Sequence, residues 1–133
     1  MRQHNVRRIL AMGTLSIQRS EDHWALLAWL ATIFMWLFVT KPYRSVLNIA
    51  DTFEADAGEL DWTVYRIAGI PGESDNASWM KDREAGRIFE GWVGEKGWTI
   101  STPRGALARW LVDAVEGGAD KWIRKMPAIG LHA

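Results

Sequence analysis

The sequence predicts an α/β fold built on a mainly parallel sheet with flanking helices, and three observations predict it. Residues 6–14 place two arginines ahead of a short apolar run ending at Gly13-Thr14, which reads as a buried strand with a sharp exit. An amphipathic stretch over 42–57 leads directly into 60–67, Leu-Asp-Trp-Thr-Val-Tyr-Arg-Ile, which is rich in β-branched and aromatic residues. Strand, helix and strand in this order suggest a parallel pair, because parallel strands need a crossover between them. At 133 residues, with 48% hydrophobic and 24% charged side chains, the chain has the material for one ordinary domain.

After the strand at 6–14, an apolar helix is predicted over 21–40. The run from Trp24 to Thr40 carries no charge, and as a helix it would span roughly 25 Å at about 1.5 Å per residue. Ser20, Glu21 and Asp22 supply its start, and Lys41-Pro42 interrupts it. A helix apolar on every side is either deeply buried or in lipid, and the composition leaves both open. No small-residue cleavage site follows Val39, which argues against a cleaved signal peptide.

In the helix at 42–57, Tyr43, Val46, Leu47, Ala50, Phe53 and Ala57 recur at three- and four-residue spacing, and Asp51, Glu54 and Asp56 fall largely on the other side. Gly58 ends it, and the strand at 60–67 follows. Residues 68–86 read as a long polar loop with a short helical turn near Trp79, and loops after strands are where binding residues concentrate. Residues 87–101 read as a hairpin turning at Glu95-Lys96-Gly97. Thr102-Pro103 opens a helix at 103–116 that carries Leu107, Ala108, Leu111, Val112 and Val115 on one face, and Gly117-Gly118 stops it. The segment from Trp122 to Ile129 is expected to be extended.

Several function classes are set aside by composition. Sixteen basic residues balance sixteen acidic ones, with no basic run, so nothing provides the electrostatic footprint of a nucleic-acid binder. Cysteine is absent, which removes disulfides, a thiol nucleophile and thiolate metal sites and suits a reducing compartment such as the cytoplasm. His4, His23 and His132 lie far apart and lack metal-ligand spacing, so no metal is expected. Nine tryptophans, spread from Trp24 to Trp122, read as core and interface area rather than a stacking platform.

Gly91, Gly94 and Gly97 spell G-x-x-G-x-x-G, a spacing found in dinucleotide-binding loops. Such a loop works only between a strand and a helix start, where backbone N–H groups and the helix dipole meet the pyrophosphate. Here Trp98-Thr99-Ile100-Ser101 follows and the next helix begins only after Pro103, so the triplet is expected to serve turns.

The order of these elements, the strand ending in Gly-Thr, the L-D-W-T-V-Y-R segment and the late helix A-L-A-R-W-L-V-D-A-V resemble the carboxyl-terminal half of atypical short-chain dehydrogenase/reductases, in particular the NAD(P)-binding, NmrA-like group. The resemblance covers most of the chain from Val6 onward. It implies an incomplete Rossmann-like, doubly wound sheet over residues 1–133. It also implies NAD or NADP as cofactor, with Thr14, Arg66, Ala68, Gly69 and Ile70 on the nicotinamide side. The family's strand ends in Arg-Pro; Arg66 matches, and Ile67 stands at the proline position. Its reductases pair a Ser or Thr with Tyr-x-x-x-Lys. Thr14 and Tyr43 are therefore the catalytic candidates, but Leu47 occupies the lysine position. Arg44 does not replace that lysine, because adjacent helical residues do not share a face. On the residues alone, Tyr43 is also the first core-facing position of its helix.

The expectation is a truncated or partial NAD(P)-binding short-chain dehydrogenase-like protein of oxidoreductase ancestry, without independent catalysis. Its expected partners are a dinucleotide and either a second copy or an amino-terminal half carrying the phosphate loop. Two other readings stay open: a small membrane-associated protein anchored by 24–40, and a non-enzymatic NAD(P)-sensing regulatory module.

Overall fold

The computed structural model describes residues 6–24, 26, 29, 30, 33 and 40–133, without the side chains of 40–44 and 46. Its elements are β1 (Arg8–Thr14), α1 (Thr40–Asp56), β2 (Asp61–Ile67), α2 (Asn76–Glu84), β3 (Ile88–Gly91), α3 (Arg104–Asp113) and β4 (Ala128–Leu131). A wide helical turn at Ala114–Gly118 and a 3₁₀ turn at Asp120–Trp122 join α3 to the segment before β4. The protein is α/β: one four-stranded sheet in the order β1-β2-β4-β3, flanked by helices. Strands β1, β2 and β4 run parallel, and β3 lies antiparallel on the outer side of β4.

Each face of the sheet has its own core, because successive strand side chains point to opposite faces. Trp62 and Val64 join Ala50 of α1, Ile17 and Met126 on one face, with Ile9 and Ala11 of β1 beside them. Tyr65 and Ile67 face the other way, onto Leu107 and Trp110 of α3 and onto Trp122, with Leu10 at the margin. Nearly all of β2 is therefore buried, as expected of a parallel strand covered on both faces. Several tryptophans work here as packing area. Trp110 meets Tyr65 edge-on at 5.5 Å between ring centroids, and Trp92 meets Trp122 edge-on at 5.5 Å.

Three sequence expectations are corrected. The apolar helix does not start at residue 21: residues 20–21 form a turn and 22–24 are irregular. Asp22 does not cap a helix, because its carboxylate accepts hydrogen bonds from Arg19 N, Val93 N and the Arg66 guanidinium. Leu26, Trp29, Leu30, Ile33 and Thr40 are helical, and the rest of 25–40 lies outside the described residues. No described helix is long and apolar enough to cross a membrane.

The hairpin at 87–101 does not form either. β3 pairs with β4 from Ile88↔Leu131 to Gly91↔Ala128, and the chain then coils through two turns with positive φ at Gly94 and Gly97. Segment 97–102 spends its polar groups on β4 instead. Ser101 O accepts from Leu131 N, and the Thr99 and Thr102 hydroxyls donate to the carbonyls of Leu131 and Ile129. Finally, the loop at 68–86 contains the nine-residue α2. Asp75 caps it by accepting from Ala77 N, Ser78 N and Ser78 Oγ.

Gly130 shows how tightly segment 97–102 is laid on β4. A Cβ added there would collide with the Thr99 carbonyl. Gly130→Ala is expected to cost about 1–3 kcal/mol by forcing the two backbones apart, read as a lower midpoint in urea unfolding.

Candidate functional site

Parallel strands deliver their carboxyl ends to one edge, and in open α/β sheets ligands bind outside that edge. The register Thr14↔Ile67 ends β1 and β2 side by side, so Thr14 lies next to the start of the segment Ala68-Gly69-Ile70. Thr14 Oγ1 is 2.8 Å from Ser16 Oγ, and the chain turns there through Ile17 N donating to Thr14 O. Ala68, Gly69 and Ile70 are exposed. Their backbone is held by Thr102 N donating to Gly69 O, with Arg104 N donating to Pro71 O just beyond. The structure thus brings together Thr14, Ala68, Gly69 and Ile70. Tyr43 lies in the first turns of α1, and its side chain is outside the described residues.

Arg66 is placed differently from what the resemblance implies. Its side chain is 0% exposed and sits under the edge rather than on it. Nε donates to Met126 O at 2.6 Å, Nη1 to Ile17 O and Asp22 Oδ2 at 2.6 Å, and Nη2 to Asp22 Oδ1 at 2.7 Å. The guanidinium carbon also lies 5.9 Å from the centroid of the Trp92 ring. A guanidinium engaged in this way has no face left for a ligand. Its role is to tie the exit of β1, the segment before β4 and Asp22 to β2.

Burial works against a charged Asp22, but the hydrogen bonds and charge of Arg66, with Arg19 N and Val93 N, outweigh it. The carboxyl is held below the ordinary 3.8. On the other core face, burial alone pushes the Tyr65 hydroxyl up.

Beyond Ile70 the loop crosses the amino end of α3 and encloses a groove of about 350 Å³, lined in part by Ser74, Asp75, Trp79 and Arg104. Arg104 Nη1 donates to Ser74 Oγ at 2.8 Å, and the buried Asp82 accepts from Gly105 N at 2.7 Å, which locks α2 onto α3. Sequence reasoning did not single out Trp79, Asp82 or Arg104 for this groove. The available signal was the long polar loop itself, but Arg104 comes from the next helix, and local patterning cannot show that the two meet.

The glycine triplet offers no phosphate cradle. The side-chain position of Gly94 is filled by the backbone of His23, that of Gly97 by the His132 ring, and that of Gly91 by Glu95 and Phe89. At Gly69 an added Cβ would meet nothing within 4 Å. Among the described residues, no group of three or more acidic or histidine side chains could hold a metal ion.

Two solved structures match this arrangement along nearly the whole chain. An oxidoreductase from Lactococcus lactis aligns at a TM-score of 0.57 and 18% identity, over 98% of this chain and 48% of its own. A wide-type short-chain dehydrogenase/reductase from Veillonella parvula, in complex with NADP, aligns at 0.60 and 13% identity, over 99% of this chain and 55% of its own. The fold is short-chain dehydrogenase/reductase-like. The chain spans about half the length of these structures. No protein-family model and no curated protein matches the sequence.

The Asp22–Arg66 pair makes a prediction specific to acid. A carboxyl whose pKa is lowered by folding stabilises the fold fully above the unfolded value near 3.8 and loses that contribution as pH falls through the folded value. Asp22→Asn is expected to lose about 3–5 kcal/mol at pH 7, because it leaves a buried guanidinium uncompensated. Urea unfolding between pH 2 and 7 should show the acid limb flattened relative to the parent chain.

Proposed function

We propose that this chain is the carboxyl-terminal half of an atypical, NmrA-like short-chain dehydrogenase/reductase domain, supplying the nicotinamide side of an NAD or NADP site and lacking turnover of its own. The observation that carries the reading is the carboxyl edge, where Thr14 lies beside the exposed Ala68-Gly69-Ile70 backbone with open space at Gly69. Thr14 and the backbone of Ala68, Gly69 and Ile70 are the residues that would hold the nicotinamide end, and the hydride chemistry belongs to the dinucleotide. The pyrophosphate contacts, which fix such a cofactor in place, must come from an amino-terminal half that bears a phosphate loop.

Absence of turnover follows from the residues around Tyr43. A tyrosine exchanges a proton with a carbonyl oxygen when a nearby cation lowers its pKa. Leu47 stands one helical turn on, where the Tyr-x-x-x-Lys pair has lysine. That substitution also favours a second reading, a non-enzymatic NAD(P)-sensing module. We place the protein in the cytoplasm, which a chain without cysteine suits. The exposed Trp24, Leu26, Trp29 and Leu30 favour contact of that segment with an apolar surface, a membrane included.

NADPH titrated against tryptophan fluorescence tests the site. The chain alone should bind with a Kd of about 1 mM or weaker, near −4 kcal/mol, and should oxidise NADPH with no carbonyl in a panel. Gly69→Leu should leave stability within about 0.5 kcal/mol and abolish the residual fluorescence change. Turnover would sink the non-catalytic reading, and a Gly69→Leu chain that binds unchanged would move the nicotinamide elsewhere.

A further inference from the structure

The groove beyond Ile70, about 350 Å³ in volume, plays no part in the dinucleotide reading. Its chemistry comes from Glu73, Ser74 and Asp75 of the loop, Trp79 of α2, and Arg104 and Ala108 of α3. The amino end of α3 is not itself the site, because its first N–H groups are spent: Arg104 N donates to Pro71 O and Gly105 N to Asp82 Oδ2. Asp75 is spent as well. Its Oδ1 accepts from Ala77 N and Ser78 N, and its Oδ2 from Ser78 Oγ.

Two charges of opposite sign are left, Arg104 and Glu73. Arg104 is exposed and donates through Nη1 to Ser74 Oγ at 2.8 Å, which ties the guanidinium to the loop while leaving the rest of its donor fork for a ligand. Glu73 is exposed and precedes Ser74 in the chain. Among the described residues neither of the two belongs to an ion pair, so they do not neutralise each other. Beside them lies an apolar wall, made by Trp79, which is 37% exposed, and by the exposed Ala108.

We propose that this groove binds a free α-amino acid with an aromatic or branched apolar side chain. Its carboxylate pairs with Arg104, its ammonium with Glu73, and its side chain covers Trp79 and Ala108. A ligand with a carboxylate alone would satisfy Arg104 and be repelled by Glu73, and a simple amine would meet the reverse. Only a zwitterion answers both. The volume falls at the lower end of the range for small-molecule sites, about 300–1,000 Å³, which suits one amino acid better than a larger ligand. All the groups invoked belong to 73–79 and 104–108, so the inference stands or falls separately from the dinucleotide reading.

Calorimetric titration of the full chain with phenylalanine, 3-phenylpropanoate and phenethylamine separates the three contacts. Phenylalanine should bind saturably, and each analogue, lacking one charge, should bind about tenfold or more weakly, the order expected for one lost charge-assisted hydrogen bond. Two variants should change the preference and not merely the affinity. Arg104→Gln, which keeps a donor for Ser74, should take phenethylamine as well as phenylalanine, and Glu73→Gln should take 3-phenylpropanoate as well as phenylalanine. Ala108→Phe should fill the groove and abolish binding with an unchanged far-UV spectrum. No saturable phenylalanine binding up to about 10 mM would overturn the proposal. So would equal affinity for the three ligands, tighter binding of either analogue, or an unchanged preference in the folded variants. If Arg104→Gln fails to fold, Glu73→Gln, on the exposed loop, still decides. NADPH titration of the same samples reports on the dinucleotide site independently.

Discussion

The bidentate contact between Arg66 and Asp22 is the constraint on which the rest of this structure depends. A guanidinium at the buried carboxyl end of the central strand is costly unless every donor is matched, and the chain matches it with pieces from three places. Asp22 and the Ile17 carbonyl come from the exit of β1, and the Met126 carbonyl from the approach to β4. Asp22 in turn receives Val93 N, from the coil that follows β3. One side chain thus gathers the exit of β1, the carboxyl end of β2 and the approach to β4, and through Asp22 the coil beyond the antiparallel strand.

The open edge above the clamp follows from it. With Arg66 drawn inward, the surface at the ends of β1 and β2 is made of the Thr14 hydroxyl and the backbone of Ala68 to Ile70. That surface is small and mostly uncharged. Charge and an aromatic wall enter only farther out, in the groove with Arg104 and Trp79. Its shape is set by Asp75 capping α2 and by Asp82 tying α2 to α3.

Much of the architecture was legible in the residues, for reasons that are local. An apolar run ending at Gly13-Thr14, a helical repeat through Ala50 and Phe53, and the β-branched segment around Val64 each signal their element without help from distant parts of the chain. Thr14 and Ala68–Ile70 were grouped by the family resemblance alone, and the parallel register of β1 and β2 is what sets them at one edge. Arg66 was legible as a residue that matters, but not in its role: its partner Asp22 lies 44 positions away and looked like a helix start. The short helical turn read near Trp79 is in the structure the nine-residue α2, whose full length the residues did not signal because it lacks an apolar stripe.

What the sequence determined by itself was the α/β class, the parallel pairing of the two early strands and the use of Gly94 and Gly97 in turns, because periodicity and backbone permissiveness are properties of short segments. Only the tertiary structure decided the rest. Whether a charged side chain faces a ligand or a buried carboxylate, and whether residues 97–102 pair with β3 or lie on β4, depends on which distant donors and acceptors arrive at the same place. Desolvation then enforces that match, since a buried polar group left unpaired costs more than a local preference can return.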